Sequence, residues 1–291
     1  MNALSIGLAL LAGFLFAIGS VLQQKGTMEE PDANALHAGF ILRLLRRPVW
    51  LAGVVADGAG YIAQAAALGV GRLVVVQPLM VSSVIFALPL GVWLTRQRVG
   101  RREILGAGAV VAGLTVFMVV SNPTGGHDDA ALLTWAIAGG ATGGAALGLT
   151  LAAARRRPAL KAALIGSAAG ILFGFVAGLT KATVDRFGDG AAAVFGDWHI
   201  YTLAAASLAG FLLVQASLHT GALAPAITSS MVLETVVGVV IGVTVLEESL
   251  HESRAGLAVT SVALALIVVG LLGLAGARER SPADLSVRLA S

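Results

Sequence analysis

The sequence contains no cysteine, only two tyrosines and few charged residues. Without cysteine it can form neither a disulfide framework nor a thiol-based metal or redox site. Charged residues make up 12% of the 291 residues, while hydrophobic residues make up 57% and the mean hydropathy is +0.89. An ordinary water-soluble domain has about twice that share of charge. The composition therefore excludes such a domain and indicates an integral membrane protein.

Motifs for nucleotide-driven or hydrolytic chemistry are also missing. The sequence has no Walker motif, no dinucleotide fingerprint, no metalloprotease helix and no Ser/His/Asp signature. We therefore expect neither ATP-driven transport nor an enzyme, and no cofactor is predicted.

Apolar runs long enough to cross a membrane recur along the whole chain. An α-helix needs about 20 such residues to cross ~30 Å of hydrocarbon, and the alternation typical of outer-membrane strands is absent. The pattern predicts an all-α polytopic membrane protein with about nine transmembrane helices. The expected spans are 3–24, 48–70, 73–95, 102–120, 130–153, 160–184, 198–220, 223–246 and 254–275.

Basic residues are divided unequally between the two sides of these spans. If the N-terminus lies outside, 15 of the 19 Lys and Arg residues fall in cytoplasmic segments. Because cytoplasmic loops carry the excess of Lys and Arg, we expect the N-terminus outside and the C-terminus in the cytoplasm. The pI near 9.8 then reflects orientation, and no nucleic-acid partner is predicted.

The Ala/Gly-rich composition, with Arg favoured over Lys, suggests a bacterial protein of the inner (plasma) membrane. The expected partners are the lipid bilayer and a small solute or cation. A homodimer stays open as the oligomeric state.

One offset of 157 residues aligns short segments of the two halves and serves spans 1, 2 and 4 against spans 6, 7 and 9. The aligned segments are Ala12-Gly13 with Ala169-Gly170, Leu51-Ala52-Gly53 with Leu208-Ala209-Gly210, and Gly113-Leu114 with Gly270-Leu271. Five spans separate the partners, so the second copy is inverted in the membrane. We predict two inverted four-helix repeats, with a first repeat at 1–125, a linking helix at 126–158, a second repeat at 159–276 and a cytoplasmic tail at 277–291.

Glycine recurs at every fourth residue in two of the spans. Such stripes let helices approach closely where lipid provides no hydrophobic driving force. We expect both stripes to pack against neighbouring helices. They are Gly166, Gly170, Gly174 and Gly178 in the sixth span, and Gly140, Gly144 and Gly148 in the fifth.

Three polar residues of the second span, Asp57, Tyr61 and Gln64, share one helical face. A carboxylate inside a membrane costs ~2.5–3.5 kcal/mol on insertion scales and usually marks an ion or proton route. This face is one candidate for the substrate or coupling-ion pathway. The alternative is a hydrogen-bonded Asp57 that only locks the second span against a neighbour, and the sequence favours neither interpretation.

The eighth span carries a second intramembrane acid, Glu234, one turn after Ser230. With the offset of 157, Glu234 corresponds to Gln77 in the third span, directly before Pro78. Two polar positions equivalent under the repeat are where a transporter of this kind holds its substrate. We therefore predict that Gln77, Ser230 and Glu234 belong to the pathway.

The remaining charged residues near span ends are given a simpler interpretation. Lys181 lies near the outer end of the sixth span, with Asp185 four residues later, and we expect these two to form an ion pair at the membrane surface. Glu247 and Glu248 follow the eighth span, and both are predicted to be solvated.

Four stretches carry a family resemblance: GSVLQQKG at 19–26, WLAGVVADGAGYIAQ at 50–64, LVVVQPLMVSSVIFA at 73–87 and SNP at 121–123. They resemble the first half of the drug/metabolite transporter (DMT) superfamily, whose repeats are called EamA-like. Within it the sequence is most similar to the nine-helix NIPA-type magnesium transporter branch. The resemblance implies a secondary transporter that moves a small solute or metabolite by alternating access, with spans 1, 3, 4, 6, 8 and 9 lining the cavity.

Two alternatives to a solute transporter stay open at this point. The first is a NIPA-like Mg²⁺ transporter, in which Asp57 and Glu234 offer metal-ligating oxygens to a largely hydrated ion. The second is a non-transporting membrane scaffold or enzyme, which should tolerate neutralisation of both acids.

Overall fold

A computed structural model of the chain describes residues 2–28, 46–95, 100–120, 124–218, 220, 223–249 and 254–278. The expected cytoplasmic tail therefore lies almost entirely outside the described residues.

Helices form most of the described structure. In chain order they are α1 (Ala3–Met28), α2 (Pro48–Val70), α3 (Leu73–Met80), α4 (Ser82–Thr95), α5 (Arg101–Val120), α6 (Leu132–Ala153), α7 (Pro158–Asp185), α8 (Ala191–Gly196), α9 (Trp198–Leu218), α10 (Leu223–Thr244) and α11 (Arg254–Arg278). A short 3₁₀ helix, Arg186–Asp189, follows α7. Two-residue strands β1 (Thr124–Gly125) and β2 (Glu248–Ser249) pair antiparallel.

Among the described residues, eight helical segments are long and apolar enough to cross a membrane, which confirms the all-α polytopic fold class. One of them, Leu73–Leu94, combines α3 and α4. The region expected as the fourth span forms α5, whose apolar part, Ile104–Val120, is shorter than the others. The chain is a multi-pass membrane protein.

Local sequence explains where several helices begin and end. Pro48 and Pro158 stand at the first position of α2 and α7, where a missing N–H costs nothing. The third span is interrupted between Met80 and Ser82, and α3 contains Pro78. Proline removes a backbone donor and clashes with the preceding turn, which accounts for a break close to that position.

The contacts group the helices into two compact units. The first contains Met1–Gly71 and Leu79–Val99, and the second contains Arg72–Pro78 and Gly100–Ser291. The third span thus contributes its first part to the second unit and the rest to the first. The division into repeats at 1–125, 126–158 and 159–276 stays a prediction.

In the second unit, α7 is the central helix and is buried along most of its length. Its glycine stripe packs on α10 so closely that there is no room for a side chain. A Cβ added at Gly170 would overlap the carbonyl oxygen of Ser230, and a Cβ added at Gly174 would lie 2.9 Å from the carbonyl oxygen of Glu234. The stripe predicted in the sixth span therefore makes the close approach expected of it.

The second glycine stripe behaves differently. A Cβ added at Gly140, Gly144 or Gly148 of α6 would meet nothing within 4 Å. The expectation of close packing there is wrong within the described residues. The helix instead contacts α7 through neighbouring positions such as Gly139, which faces the ring of Phe175.

Equivalent contacts recur in the two halves of the chain. The hydroxyl of Ser5 in α1 donates to the carbonyl of Ala67 in α2 at 3.0 Å, and the hydroxyl of Ser217 in α9 donates to that of Ala162 in α7 at 2.9 Å. Residues 5 and 162 differ by 157, whereas residues 67 and 217 differ by 150.

Aromatic packing repeats with the same two offsets. A Cβ at Gly60 would lie 3.1 Å from the ring of Phe16, and one at Gly210 would lie 3.0 Å from the ring of Phe173. Gly60 and Gly210 differ by 150 residues, while Phe16 and Phe173 differ by 157. The connection from α1 to α2 is seven residues longer than the one from α7 to α9. The repeat itself stays a prediction.

Helices α5 and α11 contact each other reciprocally. A Cβ at Gly113 would lie 2.8 Å from the carbonyl oxygen of Ala263, and a Cβ at Gly270 would lie 2.7 Å from that of Gly106. Both pairs, 113 with 270 and 106 with 263, are separated by 157 residues. The two helices run antiparallel and present the same surface to each other.

Candidate functional site

Gln77 in α3 is the most enclosed polar residue of the predicted pathway. Its side chain is 0% exposed, and neither its amide nitrogen nor its amide oxygen has a hydrogen-bond partner in the described structure. A Cβ at Gly238 in α10 would lie 2.5 Å from its Cγ, so α3 and α10 are in contact here. An unpaired buried amide is costly, and such groups in native proteins call for a functional explanation.

Glu234 lies one helical turn before Gly238 on α10. Its side chain is half-buried, and within the described residues its carboxylate has no hydrogen-bond partner. Ser230, one turn earlier still, is 9% exposed. The structure thus places Gln77 and Glu234 on neighbouring turns of two contacting helices, both with unsatisfied hydrogen-bonding capacity.

The equivalence of Gln77 and Glu234 under an offset of 157 stays a prediction. Gly13 in α1 faces the carbonyl of Met80, while Gly170 in α7 faces that of Ser230. Met80 and Ser230 differ by 150 residues, although Ser82 and Ser83 lie closer to Gly13 than Met80 does. Gln77 and Glu234 both belong to the second unit, in which α3 contacts α10.

Asp57 in the first unit contacts α1. The side-chain amide of Gln23 donates a hydrogen bond to its carboxylate, and a Cβ at Gly19 would overlap that carboxylate. Tyr61 is 39% exposed, while Gln64 is 7% exposed. The three residues thus differ in their surroundings: Asp57 contacts α1, and the place of these residues in the pathway stays a prediction.

Sequence reasoning missed a buried charged cluster at the ends of α3, α7 and α10. Lys181, 5% exposed, has its Nζ 2.9 Å from Oδ1 of Asp128 and 3.8 Å from Oε1 of Glu248. The expected partner Asp185 is replaced by residues distant in sequence. Glu248 is 1% exposed, so its predicted solvation is wrong.

Glu248 caps the amino end of α3. Its carboxylate accepts hydrogen bonds from the backbone N–H of Leu73 at 2.9 Å and of Val74 at 2.8 Å. These N–H groups belong to the first turn of α3, where backbone N–H groups have no acceptor within their own helix. Burial raises the pKa of Glu248, and the two N–H donors with Lys181 and Arg72 oppose that rise.

A second network joins the ends of α6, α7 and α9. The carboxylate of Asp129 accepts hydrogen bonds from Trp135 at 2.9 Å and from Arg186 at 2.6 Å, and it lies 3.1 Å from His199. Asp197 contacts the other ring nitrogen of His199. Burial alone would raise the pKa of Asp129, but its donors outweigh burial and the pKa lies below its usual value.

A preformed metal cage is not among the features described. No group of three or more His, Cys, Asp or Glu side chains that could hold a metal ion occurs within the described residues. Asp57 lies in the first unit and Glu234 in the second. Each acid alone offers too few oxygens for a bare Mg²⁺ ion, which demands six ligands, although a hydrated ion needs fewer.

Comparison with known proteins identifies a relative over almost the whole chain. An uncharacterized protein of Corynebacterium glutamicum is 30% identical over 277 residues, which cover 94% of this chain and 95% of that protein. The chain belongs to the same family as this relative. Residues 1–140 also match the family model described as magnesium transporter NIPA. No solved structure matches the chain.

The family match and the apolar helices together support a membrane transporter. The matched region includes α1 to α5 and part of α6. It therefore contains Asp57 and Gln77, while Glu234 and the charged cluster residues Lys181 and Glu248 lie outside it.

Proposed function

We propose that the protein is a secondary transporter of the drug/metabolite transporter superfamily, in the bacterial inner membrane, that moves a small solute or cation by alternating access. The observation that carries the proposal is that Gln77 and Glu234, on the contacting helices α3 and α10, both lack hydrogen-bond partners within the described residues. Inside a membrane protein, polar groups without partners mark substrate or ion pathways. Ser230 lies on the same helix, one turn from Glu234.

The recurring contacts support the inverted-repeat architecture of this proposal. In both halves a serine hydroxyl donates to a backbone carbonyl across a helix pair, α1 with α2 and α7 with α9, although the serine lies on the first helix in one pair and on the second in the other. The antiparallel helices α5 and α11, which contact each other reciprocally within the second unit, also support this architecture. That arrangement makes α5 the counterpart of α11, which is long enough to span a membrane, and it therefore supports nine membrane crossings.

A NIPA-like Mg²⁺ transporter is the second candidate function. The match of residues 1–140 to the magnesium transporter family favours it. In that case the cargo would keep most of its water, because isolated carboxylates such as Glu234 supply few direct ligands.

Replacing Glu234 by glutamine should abolish most of the transport. The change keeps the shape of the side chain and removes its charge, so a bound cation or protonated substrate loses its main partner. Losing such a charged hydrogen bond corresponds to about a 10- to 100-fold drop in uptake at limiting substrate. The measurement is uptake by purified protein in liposomes with an imposed proton gradient, with Mg²⁺ and a panel of amino acids and other metabolites as probes.

The matched control in this assay is Asp57→Asn. Because the contact with Gln23 can be kept by an amide, we expect this variant to fold and to retain most of its uptake. Wild-type uptake by a folded Glu234→Gln protein would refute the pathway. Uptake of none of the probes by wild-type protein would instead favour the scaffold interpretation.

The orientation gives a separate prediction. Reporter fusions after residue 125 and after residue 280 should lie on opposite sides of the membrane, with residue 125 outside. The charge distribution requires this result, since 15 of the 19 basic residues then face the cytoplasm. Finding both reporters in the cytoplasm would contradict the proposed topology.

A further inference from the structure

The buried charged cluster connects segments that are far apart in the sequence. Glu248 fixes the amino end of α3 through the N–H groups of Leu73 and Val74, which are 175 and 174 residues away. A Cβ at Gly242 of α10 would lie 2.6 Å from Cγ1 of Val74, so α10 also packs against this end of α3. The carboxylate therefore joins α3 to the segment that follows α10.

Lys181 compensates the buried charge of Glu248 from α7. A buried ion pair gains little net stability, but removing one partner leaves an uncompensated charge and is strongly unfavourable. Lys181 also contacts Asp128, whose side chain is 63% exposed. The ammonium group thus lies between an enclosed carboxylate and one that reaches the surface, and it can keep one partner when it leaves the other.

This charged contact lies directly beside the proposed pathway. Val74, at the contact, and Gln77 are about one turn apart on α3, and Gly242 and Gly238 are about one turn apart on α10. The buried charged cluster is therefore one helical turn closer to the helix ends than the unpaired amide of Gln77. An opening between α3 and α10 at this end would expose Gln77.

We propose that Glu248 and Lys181 form a latch that closes the outer end of the pathway, and that their separation admits solvent to Gln77. The latch rests on the transporter function and on the orientation proposed above. When Lys181 leaves Glu248, it keeps Asp128 as its partner. The Glu248 carboxylate, no longer held by the ammonium group, can then release the N–H groups of Leu73 and Val74, and the amino end of α3 can part from α10.

The absence of cysteine makes the latch directly testable. A single Gln77→Cys substitution provides a buried thiol, which a membrane-impermeant maleimide added outside intact cells should label slowly. Combining it with Glu248→Gln should accelerate labelling about tenfold or more. A change of about 1.4 kcal/mol in the free energy of the open state relative to the closed state already gives that factor. The matched control is Glu247→Gln, whose side chain is 74% exposed, and it should leave the labelling rate unchanged.

Lys181→Met provides a second variant, which leaves the Glu248 carboxylate unchanged and removes only the positive charge that holds it. It should also accelerate labelling of the thiol at residue 77. Labelling at the parent rate in either folded variant would overturn the latch, and so would acceleration seen only in inside-out vesicles. Failure of both variants to fold would assign the contact to stability alone and would overturn the latch as well.

Labelling does not depend on the transported substrate, so the two proposals can fail separately. If Glu234→Gln loses uptake while the latch variants label normally, the transporter stands and the latch does not. If no probe is transported, accelerated labelling in the latch variants still demonstrates an opening at this end.

Discussion

Replacing Gly174 by leucine is expected to remove nearly all folded protein from detergent extracts. A Cβ at this position would lie 2.7 Å from Cβ of Val237 and 2.9 Å from the backbone oxygen of Glu234. Since backbone atoms cannot rotate away, the larger side chain must separate α7 from α10. Overpacking of this kind costs about 3 kcal/mol when the surroundings cannot yield. The fraction of monodisperse protein in size-exclusion chromatography measures the effect.

The matched control is Gly140→Leu in α6. It has the same chemistry and the same four-residue pattern, but a Cβ there would meet nothing within 4 Å. Because leucine favours the helical conformation over glycine by about 0.5–1 kcal/mol, this variant should fold as well as the parent. Equal loss of folded protein in both variants would show that the α7 stripe has no special role.

Leucine at Gly113 and leucine at Gly270 should destabilise the protein severely and to the same extent. A Cβ at Gly113 would lie 2.8 Å from Cγ1 of Ile267, and one at Gly270 would lie 2.7 Å from Cγ2 of Val110. The two substitutions insert equivalent side chains into equivalent contacts, and each is expected to cost about 3 kcal/mol. Thermal unfolding of the two purified variants gives the comparison.

Gly108→Leu in α5 is the control for this pair, because a Cβ there meets nothing within 4 Å. It should unfold at the same temperature as the parent protein. If Gly113→Leu is destabilised and Gly270→Leu is not, α5 and α11 do not share equivalent contacts and the proposed two-fold relation loses its main support.

Features that depend on local sequence could be predicted. Helical spans follow from runs of apolar residues, and the four-residue spacing of Gly170 and Gly174 indicates one close-packing face of α7, although it does not name α10 as the partner. The offset of 157 residues suggested by the sequence also separates Phe16 of α1 from Phe173 of α7, which make comparable contacts. Each of these signals lies within one helix or repeats without a gap.

Features that depend on loops and on distant partners could not be predicted. The connection from α1 to α2 is seven residues longer than the one from α7 to α9, and a fixed offset cannot register the 150 residues between Gly60 and Gly210. Lys181 and Glu248 are 67 residues apart, and nothing near either residue indicates its partner. The second glycine stripe failed because spacing defines a face of a helix but does not identify what covers it.

The cap that Glu248 places on α3 has a consequence for biogenesis. The ribosome delivers Leu73 and Val74 to the membrane 175 and 174 residues before the carboxylate that satisfies them. Until then, two backbone donors at the start of a spanning segment must be satisfied by water or by lipid headgroups, because hydrocarbon offers no acceptor. The third span thus reaches its final hydrogen bonding only when the penultimate helix has been synthesised. A ribosome-bound first half is an unfinished assembly, and not an independent folding unit.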